Sequence, residues 1–277
     1  MRFTKMHGLG NDFVVIEGGW SDSADYRDLA LRLCDRHFGV GGDGLIITGR
    51  DSEGDIFMRI INSDGSEPEM CGNGIRCVAK YAWERGLVDK PRFTVRTLAG
   101  PIRPEVYIED GKVVRVKVDM GEPVLKPGDI PVLLNTELTG ESTLTAAGRE
   151  FTFIPVSMGN PHCVIFVDKL DAVPLAEWGP AIENHPLFPR KTNVEFVEVL
   201  GPEEMRMKVW ERGAGETLAC GTGACATLVA AALTGRTGRQ AVIHLAGGDL
   251  FIEWPQSSNH VYMTGPAAEV FEGEWKA

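Results

Sequence analysis

Two cysteines sit in matching turns, Met70-Cys71-Gly72-Asn73-Gly74 and Ala219-Cys220-Gly221-Thr222-Gly223, with an interval of 149 between positions 71 and 220. Each turn opens a run of helix-forming residues. A thiol at a helix start meets free N–H groups and a partial positive charge, and both favour the thiolate. The glycines let those N–H groups approach a bound group closely, so the same geometry could hold a substrate carboxylate. Two such thiols facing a common cleft suit a reaction that removes a proton from one face of a carbon and returns one to the other. For a single Cys-Gly-x-Gly, an ordinary buried cysteine beside a turn explains as much. Two at matching addresses favour chemistry.

The interval recurs. Asn11 and Asn160 are 149 apart, as are Gly86 and Gly235, which end the two runs. This points to an internal duplication of an α+β unit. In the first half, strands are expected at 13–16, 45–47 and 56–61, with a helix over 25–38 and another from the cysteine turn to about residue 85. The second half repeats the order, with strands at 163–167, 194–199 and 205–210 and helices at 175–184 and 224–233. The last of these is apolar almost all round, so it should run through a core with its sheet wrapped around it. Leu98-Ala99-Gly100 answers Leu245-Ala246-Gly247 at an interval of 147. Glycines and prolines between 119 and 131 mark a boundary. The expected domains are 1–119, with 265–277 packing back on it, and 120–264. Each is expected to be a mixed sheet around a central helix, with the active site in the cleft between them.

The 277 residues carry 28 basic and 39 acidic side chains, a net charge of −11. No basic stripe offers itself to a phosphate backbone, so nucleic acid is not an expected partner. The longest apolar run, 224–233, is too short to cross a membrane, and residues 1–11 do not read as a signal peptide. Six cysteines in a chain this long do not make a disulfide scaffold. A reduced, cytoplasmic protein is expected. Cys34, Cys77, Cys163 and Cys225 are expected to be packing residues. The pairs Cys71/Cys77 and Cys220/Cys225 lack Cys-x-x-Cys spacing, which argues against zinc and against a thioredoxin-type couple. Residues 39–44 satisfy Gly-x-Gly-x-x-Gly, but a helix precedes and a strand follows, the reverse of a dinucleotide site. No metal and no organic cofactor is expected.

Around the thiols, His162 and Glu211 are the best candidates to help them ionise. Taken singly, each is better read as a surface or merely hydrogen-bonded side chain. Asn11, Asn62, Asn160 and Asn193 both donate and accept, which suits a zwitterionic substrate. Arg212 adds a cation able to grip a carboxylate.

Taken together, the segments Met6-His7-Gly8-Leu9-Gly10-Asn11-Asp12-Phe13, Asn62-Ser63-Asp64-Gly65-Ser66, the two cysteine turns, Ser157-Met158-Gly159-Asn160-Pro161-His162 and Glu211-Arg212-Gly213-Ala214-Gly215-Glu216-Thr217 closely resemble the diaminopimelate epimerases. The resemblance reaches to Tyr262-Met263-Thr264-Gly265, nearly the whole chain. It implies cofactor-independent interconversion of L,L- and meso-diaminopimelate on the route to lysine and peptidoglycan precursors. One thiolate would remove the α-proton while the opposite thiol supplies one, with Cys71 as donor, Cys220 as acceptor and the roles exchanged in reverse. By the same resemblance Asn11, Asn62, Asn160, Asn193, Glu211 and Arg212 contact substrate, with the backbone of Gly72-Asn73 and Gly221-Thr222. His162 and Glu211 would tune the cysteines, and a homodimer is compatible with the resemblance. Many members carry a glutamine where this chain has Gly44, the counterpart of Asn193, so Gly44 is the weakest of the implied contacts. The nearest rival is a proline or hydroxyproline racemase, which resembles the chain at the cysteine turns but not around Asn62, Asn193 or Glu211-Arg212. A thiol-based redox or binding protein without catalysis is the rival from another class.

Overall fold

The computed structural model describes residues 1–20, 25–134 and 139–276. In chain order it forms β1 (Arg2–Gly8), β2 (Asn11–Glu17), α1 (Tyr26–Leu33), β3 (Gly44–Arg50), β4 (Ile56–Asn62), α2 (Gly72–Glu84), β5 (Val95–Thr97), β6 (Gly100–Ile102), β7 (Glu105–Glu109) and β8 (Lys112–Asp119). There follow β9 (Ser142–Ala146), β10 (Arg149–Ser157), β11 (Pro161–Phe166), α3 (Leu175–Glu183), β12 (Asn193–Gly201), β13 (Glu204–Glu211) and β14 (Gly215–Glu216). The chain ends with α4 (Gly221–Leu233), β15 (Gln240–Leu245), β16 (Gly248–Glu253), β17 (Tyr262–Gly265) and β18 (Ala268–Glu274). The fold is α+β with mixed sheets. Residues 1–119 with 264–277 form one unit and 120–263 the other.

In the first unit the sheet runs β18-β1-β2-β3-β4-β5-β6, and β7 and β8 make a hairpin. Helix α2 packs on β1 to β4 and on the β7–β8 hairpin, while α1 covers the other face at β3 and β4. A sheet covered on both sides needs apolar residues at successive positions, not alternate ones. That is why Val14-Val15-Ile16 and Leu45-Ile46-Ile47 are continuous buried runs. Val14, Ile16, Leu45 and Ile47 pack with Tyr26, Ala30 and Leu33 of α1. Ile46 and Ile60 point the other way and lie near Gly74 at the start of α2.

The second unit repeats this plan. Its sheet runs β17-β16-β15-β13-β12-β11-β10-β9, with β14 paired to β13. Helix α4 packs on β10, β11, β12, β15 and β16, and is buried from Gly223 to Ala231. Its alanines let the sheet close around the helix at short range, which explains its lack of a polar face. Helix α3 covers the opposite face, where Leu175 and Ile182 meet Cys163, Ile165, Val194 and Phe196.

The interval of 149 is a true structural register. In parallel pairs, Phe13 lies opposite Gly44 and His162 opposite Asn193. In antiparallel pairs, Leu45 faces Ile61 and Val194 faces Trp210. The hairpins after the core helices differ from the expected interval of 147. Thr97 pairs with Gly100 and Leu245 with Gly248, an interval of 148, because pairing positions and not the Leu-Ala-Gly letters define the turn.

Two further elements depart from the sequence reading. Strand β1 was not anticipated, because Arg2, Lys5 and His7 break its apolar pattern, yet it lies between β2 and β18 in the sheet. The helix expected over 25–38 stops at Leu33. Beyond it the Asp35 carboxylate accepts from the N–H groups of His37 and Phe38, while those of Val40 and Gly41 return to the Leu33 carbonyl. The chain thereby folds back, with Gly41 at φ +80°. If α4 is the centre of its unit, Leu228→Ala should lower stability by about 2–5 kcal/mol in urea unfolding, since the close-packed surround cannot collapse into the void.

Candidate active site

Each reactive-cysteine candidate is the N-cap of its core helix. Cys71 and Cys220 have extended backbones, at φ −140° and −118°, so their side chains turn back over the first helical turn. The Gly74 N–H donates to Cys71 Sγ at 3.5 Å and the Gly223 N–H donates to Cys220 Sγ at 3.3 Å. The thiol thus does the work usually given to a serine or aspartate cap, and the helix end favours its charged form.

In the first unit, Cys71 is half-buried, with its Sγ 3.8 Å from Asn11 Oδ1. Asn73 Nδ2 donates to the same oxygen at 3.1 Å, and Asn73 Oδ1 accepts from the fully buried Arg76 at 3.0 Å. Asn11 Nδ2 donates to Asp43 Oδ2 at 2.7 Å. Asp43 is held by the Asp12 N–H and by Arg36, and Asp12 in turn takes hydrogen bonds from Arg36 and Lys5. Burial would raise the Asp12 pKa, but the hydrogen bonds from Arg36 and Lys5 outweigh it and hold the group at about 2. Gly44 and Asn62 lie opposite each other on β3 and β4. The Asn62 amide donates to Ser66 Oγ at 2.9 Å. A Cβ on Gly44 would come within 2.9 Å of the Ile61 carbonyl, so this backbone has no room for the glutamine common in the family the sequence resembles.

In the second unit, Cys220 is buried and its Sγ lies 3.4 Å from Thr222 Oγ1. Asn160 Nδ2 donates to that hydroxyl at 3.2 Å, and Asn160 Oδ1 lies 3.0 Å from His162 Nε2. His162 Nδ1 lies 2.7 Å from Glu195 Oε1, with both side chains fully buried. Both ring nitrogens are therefore occupied, and His162 reaches the thiol through Asn160 and Thr222, not directly. Glu211 accepts from the Thr217 hydroxyl, and its charge acts on Cys220. Burial pushes the Glu211 carboxyl up, while Thr217 and Cys220 pull it down. Burial likewise pushes the Cys220 thiol well up, reinforced by the charges of Glu211 and Glu195, while Thr222 and the Gly223 N–H pull it down. Asn193 donates one amide hydrogen to Pro161 O at 2.8 Å and accepts from the Arg212 N–H at 3.0 Å, which leaves its second amide hydrogen for another acceptor. That arrangement sets the start of β12 against the end of β13. The Arg212 side chain is exposed, with Nη1 3.3 Å from the Arg190 carbonyl.

Cys34, Cys77 and Cys163 are buried, and burial raises all three thiols, to about 11 for Cys34 and about 12 for Cys77. Two residues beside the site escaped the sequence reading. Asp43 lay in the glycine stretch tested only as a nucleotide loop. Glu195 sits in an apolar strand, and its counterpart across the repeat, Ile46, would have exposed it as a carboxylate placed where the first half has a hydrocarbon.

The sequence profile of the diaminopimelate epimerase family matches residues 3–126 and 154–270. The chain belongs to this family. Its relatives there include the diaminopimelate epimerase of Pelotomaculum thermopropionicum, 56% identical over 277 residues and covering 99% of both chains. That of Desulfitobacterium hafniense is 56% identical over 276 residues, 99% of this chain and 97% of the relative. Among solved structures, the chain resembles a Bacillus anthracis phenazine biosynthesis protein of the PhzF family, with a TM-score of 0.73 at 15% identity over 100% of this chain and 99% of the other. It also resembles a probable proline racemase from Agrobacterium radiobacter, with a TM-score of 0.71 at 16% identity over 99% and 92% of the two chains. At such identities these two share a fold with the family and no more.

The Asp12 cluster anchors the Asn11 turn that this family match includes. Its folded pKa lies below the ordinary 3.8, so Asp12 stabilises fully above that value and progressively less as pH falls towards 2. Asp12→Asn should cost about 1–2 kcal/mol at pH 6, after allowance for solvent screening, and should flatten the stability loss between about pH 4 and 2 in urea titrations.

Proposed function

We propose that the chain is an amino-acid isomerase that interconverts L,L- and meso-diaminopimelate without a cofactor, by proton transfer at the α-carbon between Cys71 and Cys220. The observation that carries this reading is the pair of N-cap thiols, held at one address in two repeats of a chain that belongs to the diaminopimelate epimerase family.

In this mechanism Cys220 first gives its proton to Glu211, whose raised pKa and electrostatic coupling to the thiol suit that role. The Cys220 thiolate then takes the α-proton and the Cys71 thiol returns one to the opposite face. For the reverse epimer the two exchange roles. Negative charge grows on the substrate carboxylate as the α-proton leaves. N–H groups of Gly72-Asn73 and Gly221-Thr222, oriented in advance by their helices, stabilise that charge as oxyanion-hole donors do. Asn11 and Asn160 flank the thiols, while Asn62, Asn193 and Arg212 recognise the distal amino-acid end. Gly44 contributes no side chain, so fewer groups hold the substrate from the first repeat than from the second. The segments around Asn62, Asn193 and Glu211-Arg212 favour this substrate over proline, which has no distal amino-acid centre. We place the reaction in the cytoplasm, on the route to lysine and peptidoglycan precursors, with the enzyme acting as a homodimer.

In D2O, turnover of L,L-diaminopimelate should carry solvent deuterium into a single α-carbon, read by NMR. Cys71→Ser and Cys220→Ser should each reduce epimerisation by at least about 10²–10⁴-fold, the usual worth of a positioned acid or base. Epimerisation surviving both substitutions would sink the two-thiol mechanism, and turnover of proline with none of diaminopimelate would move the chain to the racemase reading.

A further inference from the structure

The two duplicated asparagines use opposite ends of their amides: Asn11 turns its oxygen to Cys71 directly, and Asn160 turns its nitrogen to Thr222 beside Cys220. In the first repeat, Asp43 is a carboxylate acceptor, so Asn11 turns Nδ2 to it and Oδ1 towards Cys71. The hydrogen bonds run from Arg76 through Asn73 and Asn11 to Asp43, leaving an acceptor oxygen beside the thiol. In the second repeat Asn160 is reversed. Oδ1 faces His162, and Nδ2 donates to Thr222 Oγ1. Thr222 has one hydroxyl proton, and with Asn160 donating to its oxygen that proton is free to point at Cys220 Sγ, 3.4 Å away. The chain of bonds therefore ends in a donor aimed at sulfur.

Its origin is the buried pair of His162 and Glu195. Asn160 Oδ1 can only accept, so the proton in the 3.0 Å contact belongs to His162 Nε2. The 2.7 Å contact between Nδ1 and Glu195 Oε1 needs a second proton. Together the two side chains hold both, either as imidazolium and carboxylate or as imidazole and carboxylic acid. In either form Nε2 is protonated. Without the second proton, Nδ1–H would donate to the carboxylate and Nε2 would become an acceptor. Asn160 would then have to turn over, and the Thr222 hydroxyl would be drawn away from sulfur. Glu195 Oε1 also lies where a Cβ on Gly223 would sit, 2.7 Å from that position, which packs the carboxylate against the first turn of α4. The first repeat has Phe13 and Ile46 at the matching places and can make no such chain.

We propose that Glu195 is a positioning residue for Cys220: acting through His162, it fixes the Asn160 amide and so aims the Thr222 hydroxyl at the thiolate. The inference rests on the reading of Cys220 as an acid–base group. Among the described residues, the charged groups acting on that sulfur are Glu211 from β13 and Glu195 from β12, with His162 from β11 acting on Glu211. A rival role for Glu195 is simply a negative charge that opposes the thiolate, and the two roles predict opposite signs.

The test is labelling of the whole protein with methyl methanethiosulfonate at pH 8, with the rates at Cys220 and Cys71 read separately by mass spectrometry. The double substitution His162→Phe with Glu195→Ile installs the side chains that the first repeat already packs. It should slow Cys220 about tenfold relative to Cys71, through loss of a donor to the thiolate. Glu195→Gln keeps a hydrogen-bonding partner for Nδ1 and should label within about twofold of the unaltered protein. Faster or unchanged labelling of Cys220 in the double variant overturns the proposal, as does Glu195→Gln slowing it tenfold. If the double variant does not fold, Glu195→Gln alone still decides. Labelling needs no substrate, so a protein that fails to epimerise diaminopimelate would overturn the proposed function and leave this result standing.

Discussion

A helix that begins at the rim of a sheet-wrapped core must satisfy locally those of its first N–H groups that turn inward. Here a cysteine meets that demand in both repeats, accepting from the third residue of the helix. The requirement explains much around it. The helix start must be thin, so glycines follow the thiol and small side chains line α4. The sheet must carry apolar residues on both faces, so its central strands lose their alternation. A capping thiol is a weaker acceptor than a serine or aspartate oxygen, so the choice of sulfur gives up some helix stability for a group that can exchange a proton.

The repeats keep one scaffold and differ in what surrounds the sulfur. Strand pairing, helix bounds and cap geometry coincide at the interval of 149. The polar surroundings do not. The first repeat ties its asparagine into an ion-pair cluster near the surface, with Lys5, Asp12, Arg36 and Asp43. The second buries a histidine–carboxylate pair where the first has a phenylalanine and an isoleucine. Burying such a pair is expensive unless it is well bonded. His162 meets that condition at both ring nitrogens, while Glu195 Oε2 has no partner among the described residues.

Much of this was legible in the sequence because duplication supplies an internal comparison. Matching Cys71 with Cys220 and Asn11 with Asn160 located the caps and turns without any periodicity argument. The apolar helix 224–233 was readable as central for the same reason it is central: no polar face is left for solvent. What stayed hidden depended on partners distant in sequence. Strand β1 reads as polar, yet Lys5 is neutralised by Asp12 and donates to the Gly41 carbonyl, partners that a linear reading does not bring together. The end of α1 turns on the Asp35 side chain capturing two N–H groups, a local competition that helical spacing does not register. Glu195 reads as one more charge on a strand, and only the folded sheet brings its carboxylate to His162 on the neighbouring strand.

Gly44 carries a consequence for how this chain can evolve. A Cβ there would press to within 2.9 Å of the Ile61 carbonyl, on the neighbouring strand of the same sheet. Placing a side chain at this position therefore requires β3 and β4 to separate locally before the new residue is of any use. No single substitution provides both. Backbone spacing between two strands, and not side-chain chemistry, thus decides which residue is admitted here.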